Sequence, residues 1–109
     1  MASKLGMPFH ASIAVAKAGV EALVRSLGAE LAPQIRFNAI APTITETGLA
    51  DKLLRNDIMK EKMRERHPMK NYLQPDDVAD MAEFLVSEKS KRISGQIIDL
   101  DCGIVTFKI

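Results

Sequence analysis

Ile35-Arg36-Phe37-Asn38-Ala39-Ile40-Ala41-Pro42 is the stretch on which the reading of this chain turns. Its apolar and β-favouring residues predict a strand over 35–40 that ends at Ala41-Pro42. Downstream, Thr43, Thr45, Thr47 and Gly48 make a Thr-rich turn. Leu49, Leu53, Leu54, Ile58, Met59 and Met63 then recur at helical spacing among dense charges, which predicts an amphipathic surface helix over about 48–66, in one piece or two, ended by Pro68. Pro75 opens another helix with Asp76 and Asp77 in its first turn, where carboxylates suit the dipole, and with Val78, Met81, Ala82, Leu85 and Val86 on its inner face. Gly95 precedes a second strand, Gln96-Ile97-Ile98-Asp99-Leu100-Asp101, which stops at Cys102-Gly103.

Upstream of the first strand, residues 11–31 read as one long helix closed by Pro33. At about 100° per residue, Ile13, Val20, Val24, Leu27 and Leu31 form an apolar stripe. Lys17 falls inside that stripe, four residues after Ile13, where a charge is unfavourable unless it is paired or reaches water. On another side Ala11, Ala14, Ala18, Ala22 and Ala29 share a narrow arc that suits close approach by a second helix, whether within one molecule or between two. The order is helix, strand, helices, strand. A strand–helix–strand unit of this length favours a parallel pair, and parallel sheets are normally larger and covered on both faces. Residues 1–109 thus read as a single partial α/β domain, the closing third of a doubly wound sheet with two strands and three or more helices.

Composition narrows the function classes. The chain has 109 residues, 47% hydrophobic and 27% charged, ordinary for a globular domain. Fifteen basic and 14 acidic residues leave a net charge of +1, so no electrostatic footprint for nucleic acid is expected. No apolar run approaches the roughly 18 residues of a membrane span, and the start does not read as a secretory signal. The single cysteine, Cys102, has no internal partner, which fits a reducing cytoplasm.

Four motifs resemble, in order and spacing, the C-terminal part of the short-chain dehydrogenase/reductase family. Lys17 within Ala16-Lys17-Ala18-Gly19-Val20 is similar to the lysine of the Tyr-x-x-x-Lys helix. Ile35 to Pro42, with Thr47 five residues on, is similar to the strand and loop that close over the nicotinamide. Pro75-Asp76-Asp77-Val78-Ala79 resembles the start of the last large helix, and Ser94-Gly95-Gln96 to Asp101-Cys102-Gly103 the final strand. The resemblance implies a Rossmann-like fold, NAD or NADP as cofactor, Lys17 as the catalytic lysine, and Lys17, Pro42, Thr43 and Thr47 as cofactor contacts. It also implies a homo-oligomer, with a small-molecule substrate only in a longer chain. The family's Gly-rich cofactor turn, its Asn-Ala-Gly segment and its catalytic serine find no match here, as if the N-terminal cofactor half were missing. Ile13 stands where the family has its proton-donating tyrosine, Thr43 replaces a usual glycine, and Cys102 replaces the first glycine of Asp-Gly-Gly. The expectation is therefore an inactive piece of an oxidoreductase; the alternative is an interaction or oligomerisation module derived from that fold.

Plainer readings stand beside these. Lys17 could simply run its stem along apolar surface to water. Thr47 suits a helix N-cap, and Ile13 suits a core. His10 and His67 form no metal signature with Cys102 and are expected to be exposed or capping. Cys102 has no basic neighbour in sequence to activate its thiol. Residues 60–66 suit a solvated helix face, or, by the resemblance, a mobile flap over a substrate pocket.

Overall fold

The computed structural model describes residues 11–108. Helix α1 (Ala11–Leu31) leads into strand β1 (Ala39–Pro42). A short 3-10 turn (Gly48–Ala50), helix α2 (Asp57–Glu65), helix α3 (Pro75–Val86) and a second 3-10 turn (Glu88–Ser90) precede strand β2 (Ile97–Leu100). The two strands pair in parallel, Ala39 opposite Ile97 and Pro42 opposite Leu100. The helix, strand and parallel-pair expectations hold, and the 48–66 segment is in two pieces, the short turn and α2.

Both strands are shorter than the sequence suggests. Residues 35–38 and 93–96 meet mostly through side chains, with one backbone bond from Gly95 N to the Phe37 carbonyl at 2.6 Å, instead of a regular ladder. The Ser94 hydroxyl accepts from Phe37 N at 3.1 Å, Asn38 Nδ2 donates to the Ile93 carbonyl at 3.0 Å, and Asn38 Oδ1 accepts from Gln96 N at 3.1 Å. The ladder proper opens where Ala39 N donates to the Gln96 carbonyl and runs to Thr43 N on Leu100. Arg36 fixes this junction to the end of α3. Its guanidinium donates to the carbonyls of Leu85, Ser90 and Ile93 and to the Ser90 hydroxyl, at 2.9–3.2 Å. Of these acceptors Leu85 O belongs to the last turn of α3, where carbonyls have no intrahelical partner, and the positive charge there complements the helix dipole.

Helix α3 starts as its composition dictates. Pro75 occupies the first turn, and Asp77 Oδ2 accepts from the Gln74 N–H at 2.8 Å. Its inner face is only partly realised: Val78, Met81 and Leu85 are half-buried, while Ala82 and Val86 are open. At α2, the Asn56 side chain accepts from Met59 N at 2.9 Å, the N-cap bond that favours a helix start there.

The covered face of α1 differs from the expected one. Ile13 is 46% exposed and Val20 56%, so the apolar stripe is not buried and Ile13 is no core residue. The covered or half-covered positions are Ala14, Glu21, Val24, Leu27 and Gly28, an arc rotated by about 50° from the stripe at 100° per residue. The reason is the contact at Gly28, which brings the helix backbone within reach of Ser94 and Gly95. The main buried apolar cluster lies elsewhere, where Ala50, Leu54, Met63 and Tyr72 pack with Ile44 at their edge.

Candidate functional site

Helix α1 and strand β1 enclose an open cleft of about 240 Å³. Ala16, Lys17, Val20 and Glu21 line it from the helix, and Ala39–Pro42 with Ile97 line it from the sheet. Lys17 is thus beside the strand, yet it is exposed, not buried as the stripe suggested. An ammonium in water keeps its hydration, so the placement carries no desolvation penalty. Ile13, one turn before it, has no group to donate or accept a proton. Pro42 joins Lys17 at this cleft; Thr43 and Thr47 do not line it.

Thr43 is occupied elsewhere. Its hydroxyl lies 2.8 Å from His67 Nε2, and His67 Nδ1 lies 2.8 Å from the Met63 carbonyl. A carbonyl only accepts, so Nδ1 carries the hydrogen toward Met63. With the ring neutral, Nε2 accepts and the Thr43 hydroxyl donates to it. His67 is 1% exposed, which corrects the expectation of an exposed ring. Its bond to the last turn of α2 is the capping role that was foreseen. The turn residue Thr43 and the histidine lie 24 positions apart, so no local pattern announces the pair. Thr47 stands at the N-cap of the first 3-10 turn, but its hydroxyl makes no capping bond. His10 lies outside the described residues.

A second polar cluster centres on Glu46, which the sequence reading passed over between two threonines. Its carboxylate accepts from Lys60 Nζ at 2.9 Å, from Gln74 Nε2 at 2.7 Å and from the Tyr72 hydroxyl at 3.4 Å. The Arg64 guanidinium sits 5.2 Å from the centre of the Tyr72 ring. The Gln74 amide first, and then Lys60, hold the Glu46 carboxyl below its ordinary value. The same contact holds the Lys60 ammonium above its own.

At the end of β2, Cys102 turns the chain with φ 53°, and burial, then the Asp101 and Asp77 carboxylates, push its thiol up. That agrees with an unreactive cysteine. Asp101 Oδ1 accepts from Gly103 N at 3.0 Å, while Oδ2 is buried without a partner among the described residues. Among those residues no group of His, Cys, Asp or Glu could hold a metal ion, and no helix is long and apolar enough to cross a membrane.

Comparison with known proteins agrees with this architecture. A family profile described as enoyl-(acyl carrier protein) reductase matches residues 1–105. Carbonyl reductase [NADPH] 2 of Sus scrofa is 32% identical over 94% of this chain and 43% of its own length. A 3-oxoacyl-[acyl-carrier-protein] reductase of Thermotoga maritima is 37% identical over 92% of this chain and 40% of its own. Among solved structures, a short-chain dehydrogenase/reductase of the glucose/ribitol dehydrogenase type from Brucella melitensis superposes with a TM-score of 0.85 at 27% identity. That match covers 100% of this chain and 43% of the other. A 4-hydroxyisoleucine dehydrogenase solved with NADH shares the fold, with a TM-score of 0.88 at 22% identity over 98% of this chain and 44% of that one. The chain spans about two-fifths of the length of the relatives it matches, 40–43% for these two reductases. Its paired parallel strands, its flanking helices and these matches together make it a member of the short-chain dehydrogenase/reductase family, covering a fragment of that Rossmann-like fold.

Proposed function

We propose that this chain is the C-terminal portion of an NAD(P)-dependent short-chain oxidoreductase scaffold and that, by itself, it transfers no hydride. The observation that carries the reading is the pair on α1: Lys17 at the cleft beside β1, with Ile13 one turn earlier where the proton donor would stand. The described residues do not fit a whole dinucleotide. The cleft, at about 240 Å³, is below the roughly 300–1,000 Å³ of ordinary ligand pockets. The Thr43 hydroxyl is committed to His67, and among the described residues Lys17 is the one cation on the cleft wall. No chemical step is therefore assigned to Lys17, Pro42, Thr43 or Thr47 in this chain. Titration calorimetry with NADH and NADPH tests the reading. No heat of binding is expected, and a dissociation constant tighter than about 1 mM, or about −4.1 kcal/mol, for either nucleotide would falsify it.

A second reading has its own support. The open aliphatic side chains of Ile13, Val20 and Leu23 on α1 favour an interaction module that pairs with a second copy. Sedimentation of the full chain should then show mass rising with concentration. A single monomeric species throughout would remove this alternative. A small-molecule substrate belongs to this picture only within a longer protein, and the lone cysteine suits the cytoplasm.

A further inference from the structure

A cavity of about 470 Å³ opens between the start of α3 and the end of β2. It shares no residue with the α1–β1 cleft, and its size falls within the roughly 300–1,000 Å³ of ordinary small-molecule sites. Most of its wall is apolar: Met81 and Phe84 come from α3, Leu100 from β2, and Met69, Tyr72 and Leu73 from the segment ahead of α3. That wall is held in place by the fold. Tyr72 and Leu73 are buried. Leu73 N donates to the Ile44 carbonyl, Glu46 N donates to the Leu73 carbonyl, and Met69 N donates to the Cys102 carbonyl at 3.1 Å.

The charges on this wall have one sign. Asp77 and Asp80, a turn apart on α3, line the cavity, and among the described residues no Lys, Arg or His does. Neither carboxylate is paired with a cation among those residues. Asp77 Oδ2 accepts the Gln74 N–H at 2.8 Å, which fixes its place. Beside Cys102, Asp101 is 8% exposed, and its Oδ2 has no partner among the described residues. The Cys102 thiol lines the cavity and registers this field: burial first, then the Asp101 and Asp77 carboxylates, hold it above its ordinary value. A field that disfavours a thiolate favours a cation. A metal ion is a poor fit, because the acidic groups do not gather into a ligand set. An organic ammonium needs no such set: its charge meets open carboxylates, and its apolar body meets an aromatic ring and adaptable thioethers. We propose that this cavity binds a small organic ammonium ion, with the charged group beside Asp77 and Asp80 and the apolar body against Phe84, Met81 and Leu100.

Amide chemical shifts of the full chain at neutral pH, titrated with phenylbutylammonium, test the site. Amides of Asp77, Asp80, Phe84, Leu100 and Cys102 should shift together and saturate with a dissociation constant of about 1 mM. Phenylbutanol, the neutral counterpart, should bind at least about threefold more weakly, and phenylbutanoate should not saturate. High salt should weaken the ammonium by about threefold and leave the alcohol unchanged. Asp80→Asn, at an exposed position that the fold does not depend on, should weaken the ammonium by about threefold to tenfold and spare the alcohol. Asp76→Asn removes the same charge from the same helix end but lies off the cavity wall, and should change neither. Equal binding of the ammonium and the alcohol overturns the proposal, because the carboxylates then contribute nothing. Absence of saturable shifts at these amides overturns it, as does an Asp80→Asn variant that binds the ammonium like the parent. An equal loss in Asp76→Asn refutes it too, since that marks general charge attraction with no defined site.

Discussion

Replacing Arg36 by alanine should lower the stability of the fold by about 2 kcal/mol, and the hydrogen-bond arrangement explains why the cost is not larger. The guanidinium makes four bonds, to the carbonyls of Leu85, Ser90 and Ile93 and to the Ser90 hydroxyl. Bonds to a charged donor contribute about 1.5–3 kcal/mol each when loss leaves the acceptor bare, which would sum to about 6 kcal/mol or more. None of the three carbonyls is left bare, and the Ser90 hydroxyl, which loses Arg36 as its donor, still donates to Leu85 O. Leu85 O still accepts from Ser90 Oγ at 2.9 Å, Ile93 O from Asn38 Nδ2 at 3.0 Å, and Ser90 O from Ile93 N at 2.9 Å. What disappears is the charge-assisted surplus, the packing of the side-chain stem and the cation opposite the dipole of α3, together about 2 kcal/mol. With a urea dependence of about 1.5 kcal/mol per molar, the unfolding midpoint should fall by about 1.3 M. Lysine at the same place, with one ammonium for two guanidinium arms, should recover about half of that loss. A midpoint for Arg36→Ala within about 0.2 M of the parent would refute the view that this clamp joins the β1 entrance to α3.

Two other substitutions probe separate contacts. Gly28→Ala should stabilise the chain by about 0.5–1 kcal/mol, because the added carbon meets Ser94 Oγ at 3.6 Å and Gly95 at 3.7 Å, ordinary contacts, while α1 gains helix propensity. A fall in thermal midpoint would show that the helix cannot spare that space. Thr43→Val keeps the shape but removes the hydroxyl that His67 Nε2 needs, and should cost about 1–3 kcal/mol in chemical denaturation; a neutral result would mean that water reaches the ring.

The sequence carries the fold where a residue acts on its own neighbours. Pro33 and Pro75 bracket helices because proline lacks an N–H, and Asp76 and Asp77 mark a helix start through the dipole. The apolar runs at 39–42 and 97–100 yield strands for equally local reasons. It is less informative where distant segments choose each other. Ser94 and Asn38 divert the first residues of each predicted strand into side-chain bonds, which no alternation pattern encodes. The covered arc of α1 follows from Gly28 meeting Ser94 and Gly95, not from where its aliphatics lie. For the candidate site, Lys17 and Pro42 were legible and do share a cleft. Thr43 was legible as a residue of interest, but its partner was not, and Glu46 offered no signal because its partners at 60, 72 and 74 are assembled by the fold alone.

The parallel pair β1–β2 has a consequence for handling the protein. Among the described residues the sheet has two strands, so each has one neighbour and turns its remaining backbone groups outward. Such rims are templates for any extended chain that can satisfy them, and here Pro42, which lacks an N–H, the charge of Asp99 and the shortness of both strands blunt them. Dilute, cold storage and short unfolding times should therefore preserve it better than concentration, since fibrillar recruitment grows with encounters between bare rims.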